Sequence, residues 1–201
     1  MRIEEDLRIP MPDGITLSAR CWFPDGPDKV PAILEMIPYR KRDVTAPRDA
    51  TNHPHFCEAG YACIRVDLRG CGESDGLYDD EYSPQELSDI CATIEWLADQ
   101  DWCSGRVGIM GISWGGFNGL QVAALRPRGL AAVITACSSV DRYADDIHYK
   151  GGCVLGENAG WASNVMARFA LPPDPELRPD WREVWLERLE ATPFAAEEWH
   201  R

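Results

Sequence analysis

The stretch Arg106-Val107-Gly108-Ile109-Met110-Gly111-Ile112-Ser113-Trp114-Gly115 decides the fold of this chain. Residues 106–110 form a short apolar run that is typical of a buried strand, and the small apolar residues from Gly115 to Leu125 predict a helix. Residues 111–115 fit the pattern G-x-S-x-G, which places a serine on a sharp turn between a strand and a helix. Because such a turn lifts the serine oxygen above the sheet, Ser113 is a candidate nucleophile.

The residues around Ser113 suit acyl transfer. Glycines on both sides of the serine allow the neighbouring backbone to pass closely. The N–H of Trp114 opens the predicted helix, so it lacks an intrahelical acceptor and is available to an oxyanion. The alternative is that Ser113 only caps a helix within a glycine turn. The strand before it and the helix after it favour the nucleophile.

The rest of the first 140 residues alternates between strands and helices. A hairpin around Asp13-Gly14 opens the chain. Ser83 and Glu86 form a capping box at the start of an amphipathic helix. Further elements are predicted at Leu7–Met11, Ile15–Phe23, Val30–Ile37, His53–Ala59, Tyr61–Val66 and Leu130–Cys137. This alternation implies parallel strands joined by right-handed crossovers, so the predicted fold class is α/β.

The region after Ser139 differs in character. It contains no convincing strand pattern and holds four of the eight tryptophans of the chain. Asp180 and Glu183 predict the start of one helix, and Thr192-Pro193 predicts the start of another. We therefore expect two parts, a core over residues 1–140 and the beginning of a helical cap over residues 141–201.

Composition excludes several classes of protein. The chain has 201 residues, which suits a single domain, and a formal net charge of −13. That charge disfavours a nucleic-acid partner, because a phosphate backbone would be repelled. No segment is apolar and long enough to serve as a secretion signal or to cross a membrane. The expected location is the cytoplasm.

No metal or cofactor is expected. The eight cysteines form no C-x-x-C pair, so they are interpreted as reduced core residues. The four histidines lie at no ligand spacing from them, and His53 and His55 are interpreted as loop residues rather than metal ligands. The glycines of the Asp67–Gly76 loop fit no phosphate-binding pattern, so they are assigned to backbone geometry. Arg69 in that loop either pairs with an acid or lies on the surface.

Several segments together resemble the CocE/NonD family of serine hydrolases, which includes X-Pro dipeptidyl-peptidases and cocaine-esterase-like enzymes. The resemblance covers nearly all of the first 140 residues. The segments that carry it are Met11-Pro12-Asp13-Gly14, Ile37-Pro38-Tyr39-Arg40-Lys41, Asp67-Leu68-Arg69-Gly70, Ile94-Glu95-Trp96-Leu97 and Gly111-Ile112-Ser113-Trp114-Gly115-Gly116.

The resemblance implies an α/β-hydrolase fold whose mainly parallel sheet is flanked by helices and followed by a helical cap. It makes Ser113 the nucleophile, and the Trp114 N–H and the Tyr39 hydroxyl the two oxyanion donors. A phenol is protonated at neutral pH and can donate to developing negative charge. Without the resemblance, Tyr39 would be interpreted as a packing residue. The implied partner is a small-molecule ester, amide or peptide substrate.

The remaining members of a catalytic triad have no evident place in the sequence. The histidines after Ser113 are His148, in a segment that resembles the cap entrance of the family, and His200, on the last predicted helix. Members of the family are longer, so the chain resembles the N-terminal part of such a protein, incomplete at its C-terminus. A non-catalytic binding domain on a hydrolase frame, and a short hydrolase that uses His148 as its base, remain alternatives. Self-association of the chain is also expected.

Overall fold

The computed structural model describes residues 1–169, 171–191 and 197. The strands of its main sheet are β1 (Arg2–Pro10), β2 (Thr16–Phe23), β3 (Val30–Ile37), β4 (Ala62–Asp67), β5 (Cys103–Ile112) and β6 (Leu130–Ala136). The helices are α1 (Ala46–Glu58), α2 (Pro84–Ala98), α3 (Trp114–Leu125), α4 (Glu157–Phe169) and α5 (Trp181–Ala191).

The sheet has the order β1-β2-β4-β3-β5-β6. β1 and β2 form the predicted antiparallel hairpin, and β2 pairs antiparallel with β4. β3 pairs parallel with both β4 and β5, and β5 pairs parallel with β6. These parallel pairs confirm the α/β class and bring the carboxyl ends of β3 and β5, which precede Tyr39 and Ser113, to the same edge of the sheet.

Helices cover the two faces of the sheet. Successive residues of a strand point to opposite faces. Cys63 of β4 packs with Cys57 of α1, whereas the adjacent Ile64 packs in the larger cluster with Ile90 of α2 and Val122 of α3. α1 therefore lies on one face, and α2 and α3 lie on the other.

Three expectations are corrected. α1 begins at Ala46 rather than near His53, because Pro47 occupies the first helical turn, where a missing N–H costs no hydrogen bond. Strands β7 (Tyr149–Lys150) and β8 (Cys153–Val154) form a small hairpin after residue 139, where none was expected. Its turn consists of Gly151 and Gly152, both at positive φ. Cys137 and Cys153 are exposed rather than core residues.

The glycine-rich loop after β4 has the backbone role predicted for it. A Cβ added to Gly70 would lie 2.2 Å from the Tyr78 nitrogen, and one added to Gly72 would lie 2.1 Å from Asp67 Oδ2. Both glycines also have positive φ, so a side chain at either position is disfavoured by the backbone conformation as well as by the steric clash. Arg69 of this loop is paired: it donates to Asp89 over 2.7 and 2.8 Å and contacts Asp13.

Two arginines fasten the segment after residue 175 to the loop after β4. α5 begins next to Asp180, as predicted, and its buried Arg188 donates to the carbonyls of Gly72 and Ser74 over 2.9 and 2.5 Å. Arg178 donates to Asp75 over 2.6 Å. The helix expected from Thr192, with His200 on it, lies outside the described residues. None of the described helices is long and apolar enough to span a bilayer.

Candidate active site

Ser113 lies on a strained turn between β5 and α3. Its φ of 56° and ψ of −114° are unusual for a residue with a Cβ, and such strain concentrates at functional sites. A Cβ added to Gly111 would lie 2.2 Å from the carbonyl carbon of Gly115. One added to Gly115 would lie 2.9 Å from Ile37 Cγ2. The two glycines of the motif therefore permit the close approach that the turn requires.

Backbone hydrogen bonds fix the serine from both sides. The Ser113 N–H donates to the Ala136 carbonyl of β6 over 2.9 Å, and the Ser113 carbonyl accepts from Gly116 and Phe117. Trp114 is the first residue of α3, so its N–H has no acceptor within the helix. This places a free donor directly beside the serine, at the positive end of the helix dipole.

Tyr39 follows β3 and reaches the same point. Its side chain lies close enough to Ser113 for the two side chains to interact, and its ring lies edge-on to Trp114 at a centroid distance of 6.3 Å. Burial raises the pKa of Tyr39 to about 12, with a further contribution from Glu81. The phenol is therefore a donor throughout the physiological pH range. The structure brings together all three site residues expected from the sequence, Ser113, Trp114 and Tyr39.

A buried cation holds the Tyr39 loop in place. Lys41 is fully buried; its N–H donates to Asp67 Oδ1 over 2.8 Å, and its Nζ donates to Asp67 Oδ2 over 3.1 Å and to Glu73. Burial lowers the pKa of Lys41, but the carboxylates of Asp67 and Glu73 outweigh burial and raise it. The charged amine thus ties the loop after β3 to the loop after β4.

Helix α4 contributes an aromatic side chain to the site. Trp161 of α4 lies 6.4 Å from the Tyr39 ring and 6.3 Å from the Trp114 ring, and its indole N–H donates to Glu81. The sequence placed Trp161 only among the tryptophans after Ser139. It predicted neither the position of Trp161 beside Tyr39 and Trp114 nor a role for Glu81. The chain offers no local signal for the pair, because 80 residues separate the two partners.

His148 is held by Glu81 and Asn158. Its Nε2 lies 2.7 Å from Glu81 Oε2, and its Nδ1 lies 2.6 Å from Asn158 Oδ1. Burial lowers the pKa of His148, but the hydrogen bonds with Glu81 and Asn158 outweigh burial and raise it. A general base needs a nitrogen that is unprotonated and within reach of the serine. Both nitrogens are occupied, which disfavours His148 as the base.

The His148–Glu81 contact makes the stability of the chain depend on pH. A histidine whose folded-state pKa is raised stabilises the fold fully below its ordinary value, and this contribution disappears as pH rises through the folded-state pKa. We expect His148→Asn to lower Tm more at pH 6 than at pH 9. Thermal unfolding followed by circular dichroism measures the difference, with the exposed His55→Asn as the control. An equal loss at both pH values would contradict a charged His148.

One described cluster has the composition of a metal site. Ligand atoms of Glu35, Asp49 and His53 lie within 4.8 Å of one another. Arg65 contacts both carboxylates at 3.1 Å, and Arg48 contacts them at 2.6 and 2.9 Å, so guanidinium groups already balance their charge. Burial lowers the pKa of His53 to about 4, and its ring packs on Trp22. His53 lies in α1 rather than in a loop, and the cluster is an ion-pair network.

Comparisons with known proteins agree with this geometry. Residues 13–201 match the family described as X-Pro dipeptidyl-peptidase (S15 family). The chain is 32% identical to the cocaine esterase of Rhodococcus sp. (strain MB1 Bresler) over 169 residues, which are 81% of this chain and 28% of that protein.

Solved structures give the same result. A CocE/NonD family hydrolase from Staphylococcus aureus matches with a TM-score of 0.71 and 26% identity, over 83% of this chain and 33% of the other. An aminopeptidase from a marine sediment Thaumarchaeota archaeon matches with a TM-score of 0.64 and 26% identity, over 82% and 30%. The chain therefore spans about a third or less of the length of these relatives. It belongs to the CocE/NonD-like S15 family of α/β-hydrolases.

Proposed function

We propose that Ser113 is the nucleophile of a serine hydrolase that opens esters or amides, including peptides, through an acyl-enzyme. One observation carries the proposal: a strained serine lies beside two candidate donors, the N–H of Trp114, which follows it in the chain, and the hydroxyl of Tyr39. This is the constellation that an acyl-transfer intermediate requires. The family membership and the printed names of the relatives, an esterase and an aminopeptidase, support the same reaction class.

In the proposed reaction, Ser113 Oγ attacks the substrate carbonyl carbon and gives up its proton to a general base. The carbonyl π electrons move to oxygen, and the resulting oxyanion accepts hydrogen bonds from Trp114 and Tyr39. Collapse of this intermediate breaks the bond to the alcohol or amine, which leaves with the proton. Water then hydrolyses the acyl-serine by the same steps and regenerates Ser113.

We further propose that the general base and its acid partner are not supplied by this chain. Among the described residues, His148 is held by Glu81 and Asn158, and His53 is buried in α1 against Trp22. His55 lies on the exposed side of the same helix. Without a base, a serine is a weak nucleophile at neutral pH. The core of residues 1–140 would then present Ser113 to a base that lies elsewhere in a longer protein.

A fluorophosphonate probe tests the assignment of the nucleophile. Such probes phosphonylate a serine that is activated by a base and exposed on a turn. In the full-length protein we expect one adduct, mapped by tryptic mass spectrometry to the peptide that contains Ser113, and none in Ser113→Ala. Equal labelling of the two proteins would remove Ser113 from its role and favour a non-catalytic binding domain. Turnover of p-nitrophenyl acetate and of an aminoacyl p-nitroanilide then separates ester from amide substrates.

A further inference from the structure

A buried carboxylate lies beneath the candidate oxyanion site. Glu86, in the first turn of α2, is 7% exposed. Its Oε1 accepts from Trp114 Nε1 over 2.8 Å and from Asn118 Nδ2 over 3.1 Å. Its Oε2 accepts from the Tyr82 N–H over 2.8 Å. The capping box predicted from the sequence uses at most one oxygen of Glu86, and that oxygen accepts from Tyr82, the residue before the N-cap Ser83.

The other oxygen, Oε1, connects the two segments that carry the proposed oxyanion donors. Trp114 bears one donor on its backbone, and its indole is fixed by Glu86. Asn118, one turn further along α3, also donates to the carbonyl of Met36 over 3.0 Å. Met36 lies near the end of β3, three residues before Tyr39, which bears the other donor. A single carboxylate therefore joins the helix of the nucleophile to the strand that leads to Tyr39.

Capping alone does not account for this arrangement. Burial raises the pKa of Glu86 to about 7 even though all three hydrogen bonds oppose the rise. The three partners are neutral N–H groups, so they offset only part of the cost of burying the charge. Burial of the Glu86 carboxylate lowers the stability of the fold, and Glu86 contacts Trp114, the residue next to the nucleophile. Both are features of a functional position.

We propose that Glu86 is a positioning residue for the oxyanion site, and that its carboxylate holds the Trp114 indole and Asn118 so that the Trp114 N–H points at the reacting oxygen. This inference rests on the proposed function. Glu86 touches no substrate atom; it acts through Trp114. The misplacement of a donor by a fraction of an ångström raises the barrier to reaction with little effect on substrate binding.

Glu86→Gln tests the proposal in the full-length protein. Glutamine has the same shape but one acceptor, so either the two side-chain donors or the Tyr82 N–H must face an NH₂ group. We expect kcat to fall roughly 10-fold, since one donor is displaced rather than removed, with KM within about twofold. The inhibition constant of phenylboronic acid, whose adduct with a serine places an oxygen in the oxyanion site, should rise by a similar factor. Tm at pH 8 should change little, because the loss of a buried charge offsets the cost of an N–H that faces the NH₂ group.

Glu95→Gln is the matched control, because it removes the same charge from an exposed position of α2. Trp114→Phe removes the indole N–H and leaves Glu86 intact. Glu86→Gln should lower kcat much less in the Trp114→Phe background than in the wild type, as expected for two residues that act together. If Glu86→Gln fails to fold, Trp114→Phe alone should lower kcat at constant KM.

The outcomes separate this inference from the proposed function. A wild-type rate that is unchanged in Ser113→Ala would overturn the hydrolase assignment itself. A Ser113-dependent rate that Glu86→Gln leaves within about twofold, or additive effects of the two substitutions, would overturn the role of Glu86 alone. A Trp114→Phe variant with unchanged kcat would do the same.

Discussion

Replacement of Tyr39 with phenylalanine is expected to lower kcat of the full-length protein by about 10²- to 10³-fold, the usual cost of removing one oxyanion donor. The substitution removes only the hydroxyl, which interacts with Ser113. The ring contacts with Trp114 and Trp161 are kept, so the fold and KM should change little. Because burial raises the pKa of Tyr39 to about 12, this loss should be constant from pH 6 to pH 9.

Steady-state kinetics with p-nitrophenyl acetate measure the effect of this substitution. Tyr61→Phe provides the matched control, because it removes a phenol hydroxyl from an exposed side chain beyond α1. A kcat for Tyr39→Phe within about threefold of the wild type would show that Tyr39 only packs against the tryptophans. That was the interpretation favoured by its residue type alone.

The local signals in the sequence were sufficient for the elements around the nucleophile. The G-x-S-x-G pattern between a strand and a helix predicted the turn at Ser113, and the structure gives this serine a positive φ. The Ser83 and Glu86 pattern predicted the start of α2, and Ser83 does accept from the Glu86 N–H. Both patterns work because their interactions lie within a few residues, where spacing determines geometry.

The contacts that complete the site could not be predicted in this way. Glu86 accepts from Trp114 across 28 residues, and Lys41 reaches Asp67 across 26 residues. A glutamate at a helix start and a lysine in a polar loop are ordinary surface residues by type, and only the packing of α2, α3 and the loops buries them. The placement of Tyr39 required the family resemblance for the same reason.

The 201-residue chain expressed alone is expected to show no ester hydrolysis above a Ser113→Ala control, and to self-associate. The catalytic half of this prediction follows from His148, whose ring nitrogens are held by Glu81 and Asn158. Loss of the base from a serine hydrolase removes nearly all of the contribution of the serine. The rate of ester hydrolysis by a chain in which Ser113 has only its oxyanion donors should therefore equal the background rate.

The association half follows from exposed apolar surface at one side of the sheet. β6 pairs only with β5 within the described chain, and its Ile134 is 71% exposed. Leu125, at the end of α3, which packs on β5 and β6, is more than half exposed. An unpaired strand edge next to apolar side chains is a template for association between chains. Trp181 and Trp185 are half-buried and stacked on each other, so they add little to this surface, and Trp199 lies outside the described residues.

Light scattering and p-nitrophenyl acetate turnover on the isolated chain test the two halves separately. Oligomers or aggregates together with a rate equal to that of Ser113→Ala are the expected results. Addition of the charged substitution Ile134→Lys should reduce association, because a lysine on an edge strand opposes pairing with a second chain. A monodisperse monomer with Ser113-dependent turnover would mean that the base lies within these 201 residues, and either His148, after release from Glu81, or His200 would have to be reconsidered as that base.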